Sequence, residues 1–251
     1  MMSAVEVKNL YKKFELIKDR ESTLKSAILK FGKRKTYTFT ALDDISFTIE
    51  KGESVSIIGV NGSGKSTLLR IIGRVYTPTS GIVNIDGRMS TMLDLGAGFH
   101  PELTGRENIF FNGAIMGLSI PQIREVEEEI ITFSELNDYI DSPTKTYSAG
   151  MLMRLGFAIA TQTNPDLLLV DEVLAVGDAA FQEKCYDKID EFKCNNKTII
   201  FVTHDLVPAK EISNRTIWLN KGKIVADGKT EEVIDNYIKE VAHEHHDRKH
   251  C

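Results

Sequence analysis

Hydrophobic and polar positions along the chain follow two alternating periods. The short, mostly apolar runs at residues 54–58, 167–170 and 198–202 suit strands buried on both sides of a parallel sheet. Residues 67–72, 121–136 and 151–161 instead repeat their apolar positions at helical spacing. In 121–136 the stripe is Ile123, Val126, Ile130 and Phe133, which leaves Glu127, Glu128 and Glu129 mostly on a solvated face. Residues 4–10 and 45–49 read as strands, the second alternating like one strand of a half-buried antiparallel sheet. A further strand at 81–86 ends in the turn pair Asp86-Gly87, a hairpin is expected over 216–227 around residues 220–222, and a last helix over 230–241. Buried strands alternating with helices predict an α/β fold, with an open parallel sheet and a ligand crevice at the C-terminal strand ends.

One stretch does not fit that alternation. Residues 15–40 carry seven Lys/Arg against three Asp/Glu, and a helix over 22–31 would put Leu24, Ile28 and Phe31 on one face with the basic cluster Lys33, Arg34 and Lys35 after it. Two readings stand side by side: a solvated helix elaborating a hairpin, or an amphipathic element lying against membrane headgroups or a membrane partner.

Composition narrows the class. With 251 residues, 42% of them hydrophobic and 27% charged, the chain can bury a full core in one sizeable domain. A net charge of −5 gives no global reason to expect nucleic acid as a partner. Cys185, Cys194 and Cys251 are odd in number and lack metal-site spacing, so they read as reduced cytoplasmic thiols. The N-terminus has no apolar leader, and the run 167–170 is cut short by Asp171 and Glu172, so the chain is expected neither to be secreted nor to span a bilayer by itself. Four of the six histidines lie in the tail, where a helix would align His243, His246 and His250 for a transition metal; a frayed polar terminus is the more economical reading.

The chemistry concentrates at residues 53–73, which read as strand, loop and helix. The loop has the spacing G-x-x-x-x-G-K-S, with Gly59, Asn61, Gly62, Ser63, Gly64, Lys65, Ser66 and Thr67 in order. Glycines clear side chains away so that backbone N–H groups can cradle a triphosphate, and the helix start adds further N–H groups. Lys65 can reach the β and γ phosphates, and the Ser66 hydroxyl can coordinate Mg²⁺. Asp171 ends a buried strand, where a carboxylate can hold the same Mg²⁺, and Glu172 can orient and deprotonate an attacking water. His204 closes the neighbouring strand within reach of a γ-phosphate. Ser148 and Gly150 open another helix, as a plain cap or as a second anion site.

Taken together these segments resemble an ATP-binding-cassette ATPase over nearly the whole chain. Residues 59–67 resemble the Walker A motif, 147–151 the family signature, 167–172 Walker B with its catalytic glutamate, 176–178 the D-loop ending at Asp178, and His204 the switch histidine. The signature here has Tyr147, Ala149 and Met151 where the family favours Leu, Gly and Gln, while Ser148 is retained. The resemblance implies a P-loop NTPase (RecA-like) core with a mostly parallel sheet, an antiparallel β subdomain and an α-helical subdomain. It places the first two in 1–92 and 155–240, the inserted segment at 15–40, the helical subdomain in 93–154 and a polar tail at 241–251. It also implies ATP and Mg²⁺ as ligands, and a head-to-tail pair of copies in which Ser148 and Gly150 of one close over the γ-phosphate held by Lys65 of the other. No glutamine occurs between residues 88 and 121, where the family places one; Asp94 is the nearest polar residue. The aromatic that stacks on adenine would be Phe14 by the common pattern, with Tyr37 and Phe39 as alternatives.

Residues 95–108 and 171–185 resemble, more narrowly, the branch that powers export of lipid-linked polysaccharide such as O-antigen, capsule or teichoic acid. That branch implies a pair of transmembrane permease subunits as partner, membrane contact through residues 15–40, and a peripheral place on the cytoplasmic face of the bacterial inner membrane. With no room for a further carbohydrate-binding domain before Cys251, glycan selection would fall to the partner or to 15–40. Export or import of another substrate would share the same ATP site, and a soluble cassette acting on nucleic acid or ribosomes is the reading least suited to one acidic cassette.

Overall fold

A computed structural model describes residues 2–17, 36–93, 98–171 and 178–247. The chain begins with two long strands, β1 (Ser3–Ile17) and β2 (Thr36–Glu50), paired antiparallel from Ser3↔Glu50 to Ile17↔Thr36. Both outrun the stretches expected from apolar pattern alone, because cross-strand hydrogen bonds satisfy the backbone well beyond the residues that reach the core. The two ends of the basic segment 15–40 are therefore strand, and its proposed helix at 22–31 lies outside the described residues. β4 (Ser80–Ile85) joins the other edge of β1, giving an antiparallel sheet of order β2-β1-β4.

The second sheet has the order β5 (Met89–Thr91), β6 (Leu167–Asp171), β7 (Thr198–Val202), β3 (Ser54–Ile58), β8 (Arg215–Asn220) and β9 (Lys223–Lys229). At its centre are β3 (Ser54–Ile58), β6 (Leu167–Asp171) and β7 (Thr198–Val202), whose buried side chains match the runs with no polar face. The short β5 (Met89–Thr91) pairs parallel to β6, too brief for its pattern to announce it. β8 (Arg215–Asn220) runs parallel to β3, and β9 (Lys223–Lys229) turns back antiparallel to form the expected hairpin. Helix α1 (Lys65–Ile72) buries Leu68, Leu69, Ile71 and Ile72 between the two sheets, in a cluster with Val5, Leu10, Ile49, Leu167 and Ile217. Each such side chain contributes about 1.5–3 kcal/mol by leaving water.

A layer of helices covers one end of the large sheet: α2 (Gly105–Ile115), α3 (Ile120–Ser134) and α4 (Ala149–Gln162), followed beyond β6 by α5 (Ala179–Cys194). Phe133 of α3, Phe157 of α4 and Phe181 of α5 meet with ring centroids 5.7, 5.7 and 6.3 Å apart, which ties this layer to the sheet. Beside them Cys185 is fully buried, and burial pushes its thiol up to about 12, so it behaves as a small hydrophobe. Of the acid run, Glu128 and Glu129 face solvent, but Glu127 turns inward to pair with Arg106, which also holds Asp141 at 2.7 Å. Two more helices, α6 (Leu206–Ile212) and α7 (Thr230–Asp247), complete the fold. The last helix runs past 241 because no Gly or Pro stops it. The side chains of the histidine-rich tail lie outside the described residues.

The segment around residues 98–108 is built as a cap. Thr104 and Glu107 form a reciprocal capping box at the start of α2. Asn108, fully buried, donates to the carbonyls of His100, Leu103 and Thr104 and to Thr144 Oγ1, and its own Oδ1 accepts from the His100 N–H at 2.8 Å. Cutting the side chain back to Ala takes the partner from the His100 N–H, at about 1–3 kcal/mol, and removes one of the bonds at each of the three carbonyls, which keep backbone donors from Leu103, Thr144 and Asn108. Asn108→Ala should therefore lose on the order of 3 kcal/mol in urea unfolding, and a loss below about 1 kcal/mol would show that the loop holds its shape without this residue.

Candidate functional site

Three strand ends share one register. Ile57 of β3 pairs with Val202 of β7, and Val202 pairs with Asp171 of β6. The Thr203 N–H continues the ladder to the Ile57 carbonyl at 3.2 Å. Gly59, Asp171 and His204 thus leave the same edge of the sheet side by side, although they come from three distant parts of the chain.

The loop after β3 takes a shape that side chains would forbid. Gly59 and Gly64 have φ of 149° and 109°, and a Cβ on them would lie 2.2 Å from the Leu219 carbonyl oxygen and 2.7 Å from that of Ala41. Gly62, with φ 80°, faces open space. Lys65 is buried at 6% exposure, and its Nζ donates to the carbonyls of Gly59 at 2.8 Å and Val60 at 3.3 Å. The ammonium is thereby folded over the loop with its charge beneath a cavity of about 260 Å³, lined by Phe39, Asn61, Gly62, Gly64, Ser66 and Thr67. Ser63 is buried to 2% with its hydroxyl unpaired within the described residues. At the first turn of α1 the N-cap is Gly64, so no side chain occupies the N–H groups that open onto this cavity. A larger cavity of about 660 Å³ opens between α3 and α5, lined by Glu128, Phe133, Gln162, Lys184 and Asp187 among others, but it brings together none of the loop or strand-end residues.

Around the loop the other sequence-predicted residues fall as follows. Asp171 is half-buried at the tip of β6. His204 is exposed in a tight turn, held on one side by the Asp205 N–H bonded to Thr203 Oγ1 at 2.9 Å and on the other by Asp205 capping α6 at Val207. Glu172, Asp94 and residues 176–177 lie outside the described residues. Phe14 and Phe39 are cross-strand partners on the same face. Phe14 packs edge-on against Tyr76 at 5.7 Å with Lys12 Nζ 4.8 Å from its ring, whereas Phe39, half exposed, is the aromatic that lines the phosphate-loop cavity. Tyr37 is likewise half exposed, two residues further out on β2.

Ser148 and Gly150 open α4 on the protein surface. The Ser148 hydroxyl oxygen accepts from the Met151 N–H at 3.2 Å, as an N-cap does, and its own proton stays available to donate outward. Beneath it Tyr147 is buried and donates to the Tyr139 carbonyl at 2.7 Å. Asp178 caps α5 by accepting from the Phe181 N–H at 3.0 Å, and this bond, with Arg154 beside it, holds its carboxyl below the usual carboxylate range. Arg154, one helical turn past the signature residues, divides its guanidinium between Asp178 at 2.9 Å and Glu135 at 2.7 Å while lying over the Phe181 ring. No periodicity in the sequence singles Arg154 out; only folding brings Asp178 and Glu135 to it.

A family model described as ABC transporter matches residues 42–175. The chain is 46% identical over 248 residues to the O-antigen export system ATP-binding protein RfbB of Myxococcus xanthus, a match covering 96% of this chain and 57% of that protein. It is 42% identical over 246 residues to a protein of the same name from Klebsiella pneumoniae, covering 96% of this chain and 100% of the relative. The teichoic acids export ATP-binding protein TagH of Staphylococcus haemolyticus is 41% identical over 237 residues, covering 94% and 89%. Among solved structures, the dimeric post-hydrolysis state of the ATP-binding cassette MJ0796 bound to ADP and Pi superposes with a TM-score of 0.72 at 26% identity, over 90% of this chain and 98% of that one.

Proposed function

This chain belongs to the ABC transporter family, and from that premise we propose that it is the ATP-hydrolysing subunit of an exporter that carries lipid-linked polysaccharide, O-antigen first among the candidates, across the cytoplasmic membrane. The single observation that supports this chemistry best is the common register of β3, β6 and β7, which gathers a glycine-cleared loop, an acid and a histidine at one edge. The teichoic acid relative makes another lipid-linked polymer the second substrate class.

In this reading the ATP phosphates occupy the cavity above Lys65, with adenine against Phe39, or against Phe14 if its ring leaves Tyr76. The donor set there fits Mg²⁺: a hydroxyl at Ser66 and a carboxylate at Asp171, both hard oxygens. The ion would neutralise charge on the β and γ oxygens when bound. Lys65 and the N–H groups of Gly62, Gly64, Ser66 and Thr67 supply fixed positive potential where charge builds on the leaving phosphate. Glu172 accepts the proton of the attacking water, and His204 donates to the γ-phosphate. Ser148 and Gly150 come from a second copy, docked head to tail, and Asp178 lines the same seam. Residues 93–154 form the helical subdomain that carries this surface, and 1–92 with 155–240 form the nucleotide-binding remainder.

No helix among the described residues is long and apolar enough to cross a membrane. A permease pair and peripheral attachment at the inner face, aided by residues 15–40, belong to the same proposal. Deleting the gene tests it: lipid-linked glycan should build up on the inner face of the cytoplasmic membrane, detected by lectin or antibody labelling of inverted vesicles. Normal surface glycan in the deletion strain would count decisively against polysaccharide as the cargo.

A further inference from the structure

We propose that Gly222, in the turn between β8 and β9, is a positioning residue for the phosphate loop. The inference rests on residues 59–67 binding nucleotide, and names what holds them in their binding shape.

The Gly222 N–H donates to the Ser63 carbonyl at 2.9 Å, and the Gly222 carbonyl accepts from the Asp43 N–H at 2.8 Å. One residue thus bridges the phosphate loop to β2. No peptide bond here is cis, so the carbonyl and N–H of each peptide unit point in opposite directions. With the Ser63 carbonyl drawn to the hairpin, the N–H of Gly64 in the same peptide unit is turned to the side away from it. Gly64 lines the phosphate-loop cavity, so the bond to Gly222 sets the direction of a donor that the nucleotide would use.

Only glycine fits this bridge. Gly222 has φ 78°, and a Cβ on it would lie 2.7 Å from the Ala41 carbonyl oxygen and 3.1 Å from the Ala41 carbonyl carbon, both backbone atoms. From the other side, a Cβ on Gly64 would lie 2.7 Å from that same oxygen and 3.6 Å from Gly222 Cα. Three backbones meet here with no room for a methyl group. The turn alone does not require a glycine for its positive φ, since its neighbour Lys221 holds φ 49° with a full side chain. What excludes a side chain at 222 is the contact with Ala41. Adding one drives the hairpin away from β2 and stretches the bond to Ser63.

The test measures ATP and ADP affinity by titration calorimetry on the full chain, well below the melting temperature. Gly222→Ala should weaken both nucleotides by about tenfold or more, through loss of an aligned donor. Ile224→Ala is the control: Ile224 packs against the core from the same hairpin, so the variant should lower the melting temperature and leave both affinities as in the parent. A merely structural role would make the two variants alike, with shifted melting and parental affinities, and that result would overturn the inference. Should Gly222→Ala not fold, the parent still decides: the Gly222 amide resonance must move when ADP is added, and an unmoved resonance refutes the bridge. A parent that binds neither nucleotide overturns the nucleotide-site reading and this inference together, whereas parental binding with an unaffected Gly222→Ala overturns this inference alone.

Discussion

Glu172→Gln leaves ATP bound and lowers steady-state hydrolysis by about two to four orders of magnitude, the range a positioned general base contributes. The amide keeps the shape of the carboxylate and its ability to orient a water, but it cannot take the proton. ATP then stays in place, and if two copies share each nucleotide, the variant accumulates as a nucleotide-dependent dimer, visible by size-exclusion chromatography with light scattering. Turnover at the parental rate would remove Glu172 from the role of base. Low turnover with a monomer at saturating ATP would keep the base and dismiss the closed pair. Asp171, one residue earlier in the chain, stands in register with Val202 at the end of β6.

Lys65→Ala abolishes measurable hydrolysis, with an expected loss of about 10²–10³ or more from removing one preorganised charge at the developing phosphate, and weakens ATP binding as well. Its effect on folding should be small or even favourable. Lys65 is buried, and the cost of taking a charged group out of water works against the bonds its Nζ makes, among them those to the Gly59 and Val60 carbonyls. Activity and melting temperature should therefore move independently: the first lost, the second unchanged or raised. A matching fall in both would mean that Lys65 serves the fold of the loop rather than the nucleotide.

Much of this site is legible in the chain because its determinants are local. The clearance at Gly59, Gly62 and Gly64 follows from the absence of a side chain, and the strand before them and helix after them follow from apolar period. Asp171 and His204 are readable as the residues that follow buried strands. Where local pattern stops deciding, the reading becomes open. Phe14, which the common pattern puts first, and Phe39, one of its alternatives, sit opposite one another on β1 and β2, and packing separates them by seating Phe14 on Tyr76 and leaving Phe39 on the cavity. Glu127 belongs to a run of three acids that looks uniformly solvated, yet Arg106 draws it inward from another helix. Gly222 reads as an ordinary hairpin glycine, because nothing near it in the chain reveals that Ala41 and Ser63 press against it.

The sequence by itself determined the longer buried strands, the helices over 67–72, 121–136, 151–161 and 230–241, the phosphate loop and the residues at the strand ends, since each depends on side-chain size, period or charge within a few neighbours, whereas β5, α2, α5 and α6 appear only in the fold. Tertiary structure alone decided the register that brings Ile57, Val202 and Asp171 level, the aromatic that faces the cavity, the sharing of Arg154 between Asp178 and Glu135, and the backbone contact between the hairpin and the loop. These are contacts between segments far apart in the chain, made by backbone atoms or by side chains with several possible partners. Which partner wins depends on close packing of the whole molecule, and no local pattern encodes that.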